Sequence, residues 1–203
     1  MRGPNRLIFI NCPFDSDHSP IFEAIVFAIS ACGYEPRCAS ELLDSGHNRL
    51  TKIIDLLDRC DFSLHDISRT ELNSHGLPRF NMPFELGLAL GLKHSKRTRA
   101  APKLLVLERE SDRYLEYLSD FRGCDPVAHD RDPTIAIGRV RDWLSCHQRI
   151  LLTGPNHVKS CFARFRVDLP RICAEAGWDR DRMAFRDLTH TIRYWLAANV
   201  PLA

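Results

Sequence analysis

Short apolar runs alternate with segments of helical spacing through the first two thirds of the chain. Leu7–Asn11 and Lys103–Glu108 are apolar at consecutive positions, as expected of strands that are buried on both faces. Residues 20–32 and 50–60 instead carry apolar side chains three and four positions apart, which is typical of helices that bury one face. A third strand is predicted at residues 62–67. This alternation predicts an α/β fold, in which helices cover both faces of a parallel sheet.

The last quarter of the chain has a different pattern. Thr153-Gly154-Pro155-Asn156 marks a break, and residues 158–176 and 181–198 read as two helices with no strand between them. We therefore divide the chain into an α/β domain at 1–150 and a C-terminal helical hairpin at 151–203. Either this hairpin docks on the sheet domain and completes its core, or it binds a partner or a second copy of the chain.

Charge and hydropathy exclude several classes of protein. The chain has 203 residues with 28 Lys and Arg against 26 Asp and Glu, a formal charge of +2, so it has no strongly basic nucleic-acid arm. Eight Lys and Arg against five Asp and Glu in residues 151–203 give a modest excess, and nucleic-acid binding is not expected. No apolar run approaches the roughly 20 residues that span a bilayer. The first residues lack the pattern of a secretory signal, which predicts a cytoplasmic protein.

The cysteines and histidines lack the spacing of a metal site. Eight cysteines occur without any C-x-x-C pair, and five residues separate the nearest two, Cys32 and Cys38. The nine histidines include no H-x-x-x-H pair. Reduced, structural thiols are therefore expected, and the spacing predicts no bound metal.

Ligands of doubly wound sheets bind beyond the carboxyl ends of the strands, so the loops at that edge hold the candidate site residues. Asn11 and Asp15 follow the first strand, and Asp66 ends the third. Ser45 lies in the loop after the second strand, where it and its neighbour can present backbone N–H groups to a phosphate. Each of these residue types is also common in turns, so both roles stay open. No G-x-G-x-x-G or Walker motif occurs, which argues against a dehydrogenase and a P-loop NTPase.

Glu85 is the most informative candidate. It falls in the first turn of an otherwise apolar helix, after Asn81 and Pro83, and such a helix is expected to be buried on nearly all sides. Its carboxylate must then be paired or face a cavity, although an acid at a helix start can also serve only to stabilise the helix dipole. Gly87 and Gly91 share one side of the helix and predict close approach of a backbone or a ligand there.

Two carboxylates in one cleft are suited to cleavage of a glycosidic bond. Loss of a nucleobase leaves a ribose with oxocarbenium character, which a carboxylate stabilises or traps covalently. Glu85 and Asp66 are therefore predicted as the catalytic pair. Asn11, Asp15, Ser45 and Asn81 are predicted to bind the substrate.

Three stretches of the chain carry a family resemblance. Leu7-Ile-Phe-Ile-Asn-Cys with the following Phe-Asp, and then Glu-Leu-Leu-Asp-Ser45-Gly with its helix, resemble the first two strand exits of Toll/interleukin-1 receptor (TIR) domains. Asp66-Ile-Ser and Asn81-Met-Pro-Phe-Glu-Leu-Gly-Leu-Ala are similar to the D-I/V-S/T and N-V-x-x-E-L-G-x-A patterns of bacterial TIR-like nucleotide-binding proteins. Nucleoside 2-deoxyribosyltransferase-like enzymes, which share a flavodoxin-like sheet, are similar as well. The resemblance covers about residues 6–110.

The resemblance implies a flavodoxin-like or TIR-like sheet and an N-glycosidase that acts on NAD or a related nucleotide, with Glu85 as the catalytic carboxylate. NAD is then the substrate, and no separate cofactor is expected. Bacterial domains of this kind often serve as effectors in antiphage defence, which implies a defence-system partner or a homo-oligomer. Two alternatives remain open: a non-catalytic module that senses a nucleotide or self-assembles, and a nucleosidase or deoxyribosyltransferase in which Asp66 has a larger role.

Overall fold

The computed structural model describes residues 6–41, 46, 48–95, 103–148 and 151–200. The strands of its sheet are β1 (Leu7–Asn11), β2 (Glu35–Arg37), β3 (Phe62–Asp66), β4 (Lys103–Glu108) and β5 (Val127–Ala128). The α-helices in the described ranges are α1 (Ser19–Ala31), α2 (Arg49–Arg59), α3 (Asn81–Ser95), α4 (Pro133–Ser145), α5 (Pro155–Ala176) and α6 (Phe185–Asn199). Two short 3₁₀ turns, Arg113–Glu116 and Ser119–Phe121, lie between β4 and β5.

The five strands form one parallel sheet in the order β2-β1-β3-β4-β5. This is a flavodoxin-like α/β arrangement, and the predicted fold class is confirmed. Pro36 lies in β2, an edge strand, which is where a residue without a backbone N–H is tolerated. The strand order reverses between β1 and β3. The chain first places β2 on one side of β1 and then crosses back to place β3, β4 and β5 on the other side of β1.

Alternation along the strands assigns the helices to two faces of the sheet. Ile8, Ile10 and Leu64 belong to a large apolar cluster with side chains from α1, α4, α5 and α6. Phe9 points the other way and packs with apolar side chains of α2 and α3. Residues of β3 that share the parity of Leu64 therefore face α1 and α4, and the remaining ones face α2 and α3.

The C-terminal helices share the core of the sheet domain. Phe27 of α1 is fully buried, and its ring lies 5.4 Å from those of Phe162 and Phe165 in α5 and 6.0 Å from that of Trp195 in α6, between ring centroids. The Trp195 ring nitrogen donates a 2.7 Å hydrogen bond to Asp168, which joins the two helices. Residues 151–200 thus form a third layer over α1 and α4.

Helix α3 departs from two expectations. It is not buried on nearly all sides, because it packs through Met82, Glu85, Leu86 and Ala89 while Phe84 is 56% exposed. Its glycines do not mark a close approach either. A Cβ built on Gly87 or Gly91 meets nothing within 4 Å, so no other backbone of the described residues approaches that side.

Among the described residues, no helix combines the length and the apolar character that crossing a membrane requires. All eight cysteines are free thiols; those at 124 and 146 are exposed and the rest are buried. Most of the chain's thiols therefore pack as small apolar side chains.

Candidate functional site

A cleft of about 310 Å³ opens at the carboxyl edge of the sheet, where the strand order reverses between β1 and β3. We call it the switch-point cleft. It is lined by the loop after β1, the start of α2, the loop after β3 and the start of α3, through Cys12, Pro13, Phe14, Asp15, Arg49, Arg69, Arg79, Asn81 and Met82. Open α/β sheets bind their ligands at this position, because the loops on either side diverge there.

Three arginines and one aspartate set the charge of the switch-point cleft. Arg69 is held between carboxylates: its Nε is 3.2 Å from Asp15 Oδ2, and its other nitrogens approach Asp17 and Glu71. Arg49 and Arg79 are more than half exposed, and the closest carboxylate oxygens of their ion pairs lie at 3.9 and 3.7 Å. These two guanidinium groups therefore keep donors for an incoming anion.

The first turn of α3 adds backbone donors to the switch-point cleft. The helix begins as Phe84 N–H donates to the Phe80 carbonyl at 2.9 Å, and Asn81 and Met82 of this turn line the cleft. The first N–H groups of an α-helix lack intrahelical acceptors, and the helix dipole makes that end positive. Together with Arg49, this geometry suits a phosphate or a carboxylate group.

Glu85 lies one helical turn beyond Asn81 and is only 5% exposed. Burial raises the pKa of its carboxyl above the usual value, and the positive charge of Arg49 opposes that rise. Arg49 Nη2 stands 3.9 Å from Glu85 Oε1, too far for a hydrogen bond, and its side chain is 55% exposed. Glu85 is therefore a desolvated carboxyl group next to a cleft-lining residue, without a tight ion pair that would neutralise it.

Asp66 belongs to the opposite face of the sheet. It shares the parity of Leu64, and its side chain is fully buried against His18, which precedes α1, and His129, which follows β5. Burial alone would raise the pKa of Asp66, but interactions with His129 and His18 hold it well below the usual range. Because Glu85 lies on α3, the structure does not bring the two predicted catalytic carboxylates together on one face.

Asn11 is buried behind the switch-point cleft. Its side-chain nitrogen donates to the Met82 carbonyl at 3.1 Å and lies 3.1 Å from His65 Nδ1, so it connects β1, β3 and the start of α3. Burial lowers the pKa of His65 to about 3, which keeps the ring neutral. The other ring nitrogen of His65, Nε2, and the side-chain oxygen of Asn11, Oδ1, are both buried without a hydrogen-bond partner in the described structure. Asn11 therefore positions the start of α3, while its side-chain oxygen has no hydrogen-bond partner among the described residues.

A second cleft of about 270 Å³ lies on the other side of the loop after β3. Asp15 and Arg69 line both clefts, and His18, His129 and Arg131 line this one alone. Asp66 lies behind the two imidazoles.

The structure thus separates the predicted site residues into groups. Asp15 and Asn81 line the switch-point cleft, Glu85 lies beside it, and Asn11 is buried behind it. Asp66 instead contacts His18 and His129, which line the second cleft. Ser45 falls outside the described residues. Sequence reasoning missed the cleft arginines at 49, 69 and 79. Two of them fall in the long loop after β3, and that placement was the one signal that could have pointed to them.

No protein-family model matches the chain, and a search of curated proteins finds no match either. The resemblance to TIR-like and deoxyribosyltransferase-like proteins therefore remains a hypothesis that depends on the motifs quoted above.

Proposed function

We propose that the chain is a nucleotide N-glycosidase that cleaves the bond between nicotinamide and ribose in NAD, with Glu85 as the carboxylate at the ribose. The observation that carries the proposal is a buried, loosely paired Glu85 beside a cationic cleft at the sheet's switch point. A volume of about 310 Å³ suits a nucleotide-sized ligand. The motif Asn81-Met-Pro-Phe-Glu, which carries the resemblance, begins at this cleft.

In this proposal the arginines bind the phosphate and Glu85 acts on the sugar. As the bond between C1′ and the pyridine nitrogen breaks, its electron pair moves to that nitrogen and neutralises the pyridinium charge. Positive charge then develops on the ribose, and the Glu85 carboxylate stabilises it in a site where burial strengthens the attraction. Water adds to C1′ and loses a proton, which gives free nicotinamide and ADP-ribose; attack by a nucleophile of the same nucleotide would give a cyclic product.

Arg49 links binding to chemistry in this scheme. Its side chain is mostly exposed and stands at 3.9 Å from Glu85. A phosphate that draws Arg49 away would remove the cation next to Glu85 and leave the carboxylate free to face the ribose. Arg79, on the other side of the cleft, would bind the same phosphate.

The test is chromatography of nucleotides after incubation with the full chain. NAD, nicotinamide mononucleotide, nucleosides and nucleoside monophosphates are supplied separately, and release of the base is followed. Glu85→Gln should lower base release by at least about 100-fold, as removal of one group that stabilises a transition-state charge does. Glu23→Gln is the matched control, because Glu23 is a similarly buried helical glutamate that pairs with Arg166 and Arg180 on α5 and the following turn.

The outcomes separate the alternatives. Full activity in Glu85→Gln contradicts the proposed role of this residue. Base release from nucleoside monophosphates but not from NAD favours a nucleosidase or deoxyribosyltransferase. The rate of the wild-type chain should rise with pH through a pKa above the usual glutamate range, because Glu85 must be ionised to stabilise a cation.

A second candidate function is nucleotide sensing without turnover. The observation that favours it is the arginine lining itself, which binds a phosphate whether or not Glu85 reacts. Retention of a nucleotide with no base release in any assembly state would support this function. Arg49→Ala and Arg79→Ala should weaken retention, whereas Arg171→Ala, on an exposed part of α5, should not.

We further propose a cytoplasmic location. The predominance of buried, free thiols supports it, because reducing compartments keep cysteines in this state. Partner binding or self-association through α5 and α6 remains a proposal that follows from the helical pattern of residues 151–203. A role in antiphage defence remains a proposal that follows from the family resemblance alone.

A further inference from the structure

Four side chains that the proposed glycosidase reaction does not use form a buried cluster at the carboxyl edge of the sheet. Cys12 follows β1, His18 precedes α1, Asp66 ends β3 and His129 follows β5. We call them the Asp66 cluster. Cys12 and Asp66 are fully buried, His129 is 1% exposed and His18 is 8% exposed.

The atoms of the Asp66 cluster converge on one carboxylate oxygen. His18 Nε2 lies 2.9 Å from Asp66 Oδ2, and Cys12 Sγ lies 4.0 Å from the same oxygen. The three ligand atoms of Cys12, His18 and Asp66 all fall within 4.8 Å of one another. The other oxygen, Oδ1, accepts the Ser68 N–H at 3.0 Å, so the turn after β3 fixes the carboxylate and aims Oδ2 into the cluster.

Asp66 has no Arg or Lys partner in the described parts of the chain, although it is fully buried. A buried carboxylate is costly unless a cation or several hydrogen bonds compensate it. Here the groups around Oδ2 are two imidazoles and a thiol, which are metal ligands as well as hydrogen-bonding groups. A cation bound at Oδ2 would place a positive charge directly beside the carboxylate.

His129 acts on Asp66 rather than on the cation. Its Nδ1 accepts the Arg131 N–H at 3.1 Å, which leaves the ring proton on Nε2, 3.4 Å from Asp66 Oδ2. A ring nitrogen that carries a proton cannot bind a metal, so His18 Nε2, which lies 2.9 Å from Asp66 Oδ2, must release its proton to solvent when the cation binds. Asp130 and Arg131 hold this arrangement with positive φ values of 53° and 57°. Outer groups of this kind orient the ligands of metal sites.

We propose that Cys12, His18 and Asp66 bind a divalent transition-metal cation of the zinc type, with His129 as the group that orients Asp66. Sulfur, imidazole nitrogen and carboxylate oxygen are the three ligand types that zinc combines. Tetrahedral zinc with its usual bond lengths holds nitrogen and oxygen ligands about 3.4 Å apart, and sulfur and oxygen ligands about 3.6 Å apart. The observed nitrogen–oxygen and sulfur–oxygen separations of 2.9 and 4.0 Å each differ from these values by about half an ångström.

Three protein ligands leave one tetrahedral position for water or another ligand. His18 and His129 line the second cleft, which is the path by which such a molecule would reach the cation. The sequence could not indicate this site, because its ligands come from two strand ends and a helix start at spacings that match no metal motif. This inference does not depend on the proposed glycosidase activity.

The test is titration of the metal-stripped full chain with Co²⁺ and with Zn²⁺. One equivalent of Co²⁺ should give the visible bands of tetrahedral coordination and a thiolate-to-cobalt charge-transfer band, and Zn²⁺ should displace it. Cys12→Ala should abolish the charge-transfer band and weaken binding at least about 100-fold, and His129→Gln should weaken it about 10- to 100-fold. Cys38→Ala is the matched control, since Cys38 is equally buried and contacts Ser40 instead.

A wild-type chain that binds no Co²⁺, or binds it without the charge-transfer band, overturns the proposal. An unchanged affinity in Cys12→Ala does so too. If circular dichroism shows that Cys12→Ala does not fold, the proposal is tested with the wild-type spectrum and with His18→Gln. His18 is the least buried of the three ligands, and its loss should also remove the tetrahedral spectrum.

Discussion

Phe27→Ala tests whether α5 and α6 stabilise the sheet domain or merely follow it in the chain. Phe27 is fully buried on α1, and its ring packs against Phe162, Phe165 and Trp195 of the C-terminal helices. If residues 151–200 complete the core, loss of this ring should destabilise the whole chain. If they form a separate module, the loss should be local and small.

The magnitude follows from burial and cavity formation. Removal of a fully buried phenyl ring costs about 2 kcal/mol in transfer free energy. A residual cavity of roughly 80 Å³ adds about 2 kcal/mol at about 24 cal/mol per Å³. We therefore expect the free energy of unfolding to fall by about 4 kcal/mol, within the range of 3–5 kcal/mol that buried Phe→Ala changes typically give. This is a large part of the roughly 5–15 kcal/mol that stabilises an ordinary domain.

The assay is urea unfolding followed by both tryptophan fluorescence and far-ultraviolet circular dichroism. Trp178 and Trp195 lie in residues 151–200 and Trp143 lies in α4, so both measurements are made in a Trp143→Phe background. Fluorescence then reports on the C-terminal layer, where Trp195 lies 6.0 Å from Phe27 between ring centroids, and circular dichroism reports on all helices. Phe84→Ala is the matched control, because Phe84 is 56% exposed and its loss should cost less than about 1 kcal/mol. A loss below about 1 kcal/mol for Phe27→Ala, or a fluorescence transition separate from the helical one, would refute the shared core.

Two further predictions concern buried glutamates. Because burial raises the pKa of Glu85, its contribution to stability should be fully present below the ordinary glutamate pKa and should be lost as pH rises through the raised value. The difference in urea midpoint between the wild-type chain and Glu85→Gln should therefore shift in favour of the variant as pH rises, and the variant should be at least as stable at neutral pH. A variant that is clearly less stable at neutral pH contradicts the reasoning. Glu108→Gln should lower the free energy of unfolding by about 3 kcal/mol, because it breaks a buried ion pair in which Arg113 Nη1 lies 2.7 Å from Glu108 Oε1. The control Glu110→Gln changes an exposed residue and should cost less than about 1 kcal/mol. Equal losses of stability in thermal unfolding of the two variants would contradict this prediction.

The sequence determined the elements of the sheet domain. The predicted strands Leu7–Asn11 and Lys103–Glu108 coincide with β1 and β4. They could be predicted because a strand that is buried on both faces needs apolar residues at consecutive positions. The helices followed from apolar spacing, with boundaries that differ by up to four residues because helix ends depend on caps and not on the apolar face. Helix α1 is one such case: His18 takes the N-cap position without a side-chain hydrogen bond.

The tertiary structure decided which of the candidate residues meet. Asp66 and Glu85 both follow the rule that sites lie at the carboxyl edge, yet strand alternation turns Asp66 toward α1 and α4 while Glu85 lies on α3 at the other face. A shift of one residue reverses the face of a strand side chain, and apolar spacing alone could not fix that choice for β3. The sequence also could not predict that Phe84 is exposed, because the residue type does not show whether a neighbouring element covers an apolar side chain.

The charges and ligands of both candidate sites were also beyond the sequence. Arg49 and Arg79 belong to different elements, and only the crossing of the chain between β1 and β3 brings them to one cleft. Cys12 and His18, both in the loop between β1 and α1, contact Asp66, which lies 54 and 48 positions later in the chain. Local residue patterns determine helices and strands through interactions a few positions apart, whereas a site depends on contacts between segments that the fold alone brings together.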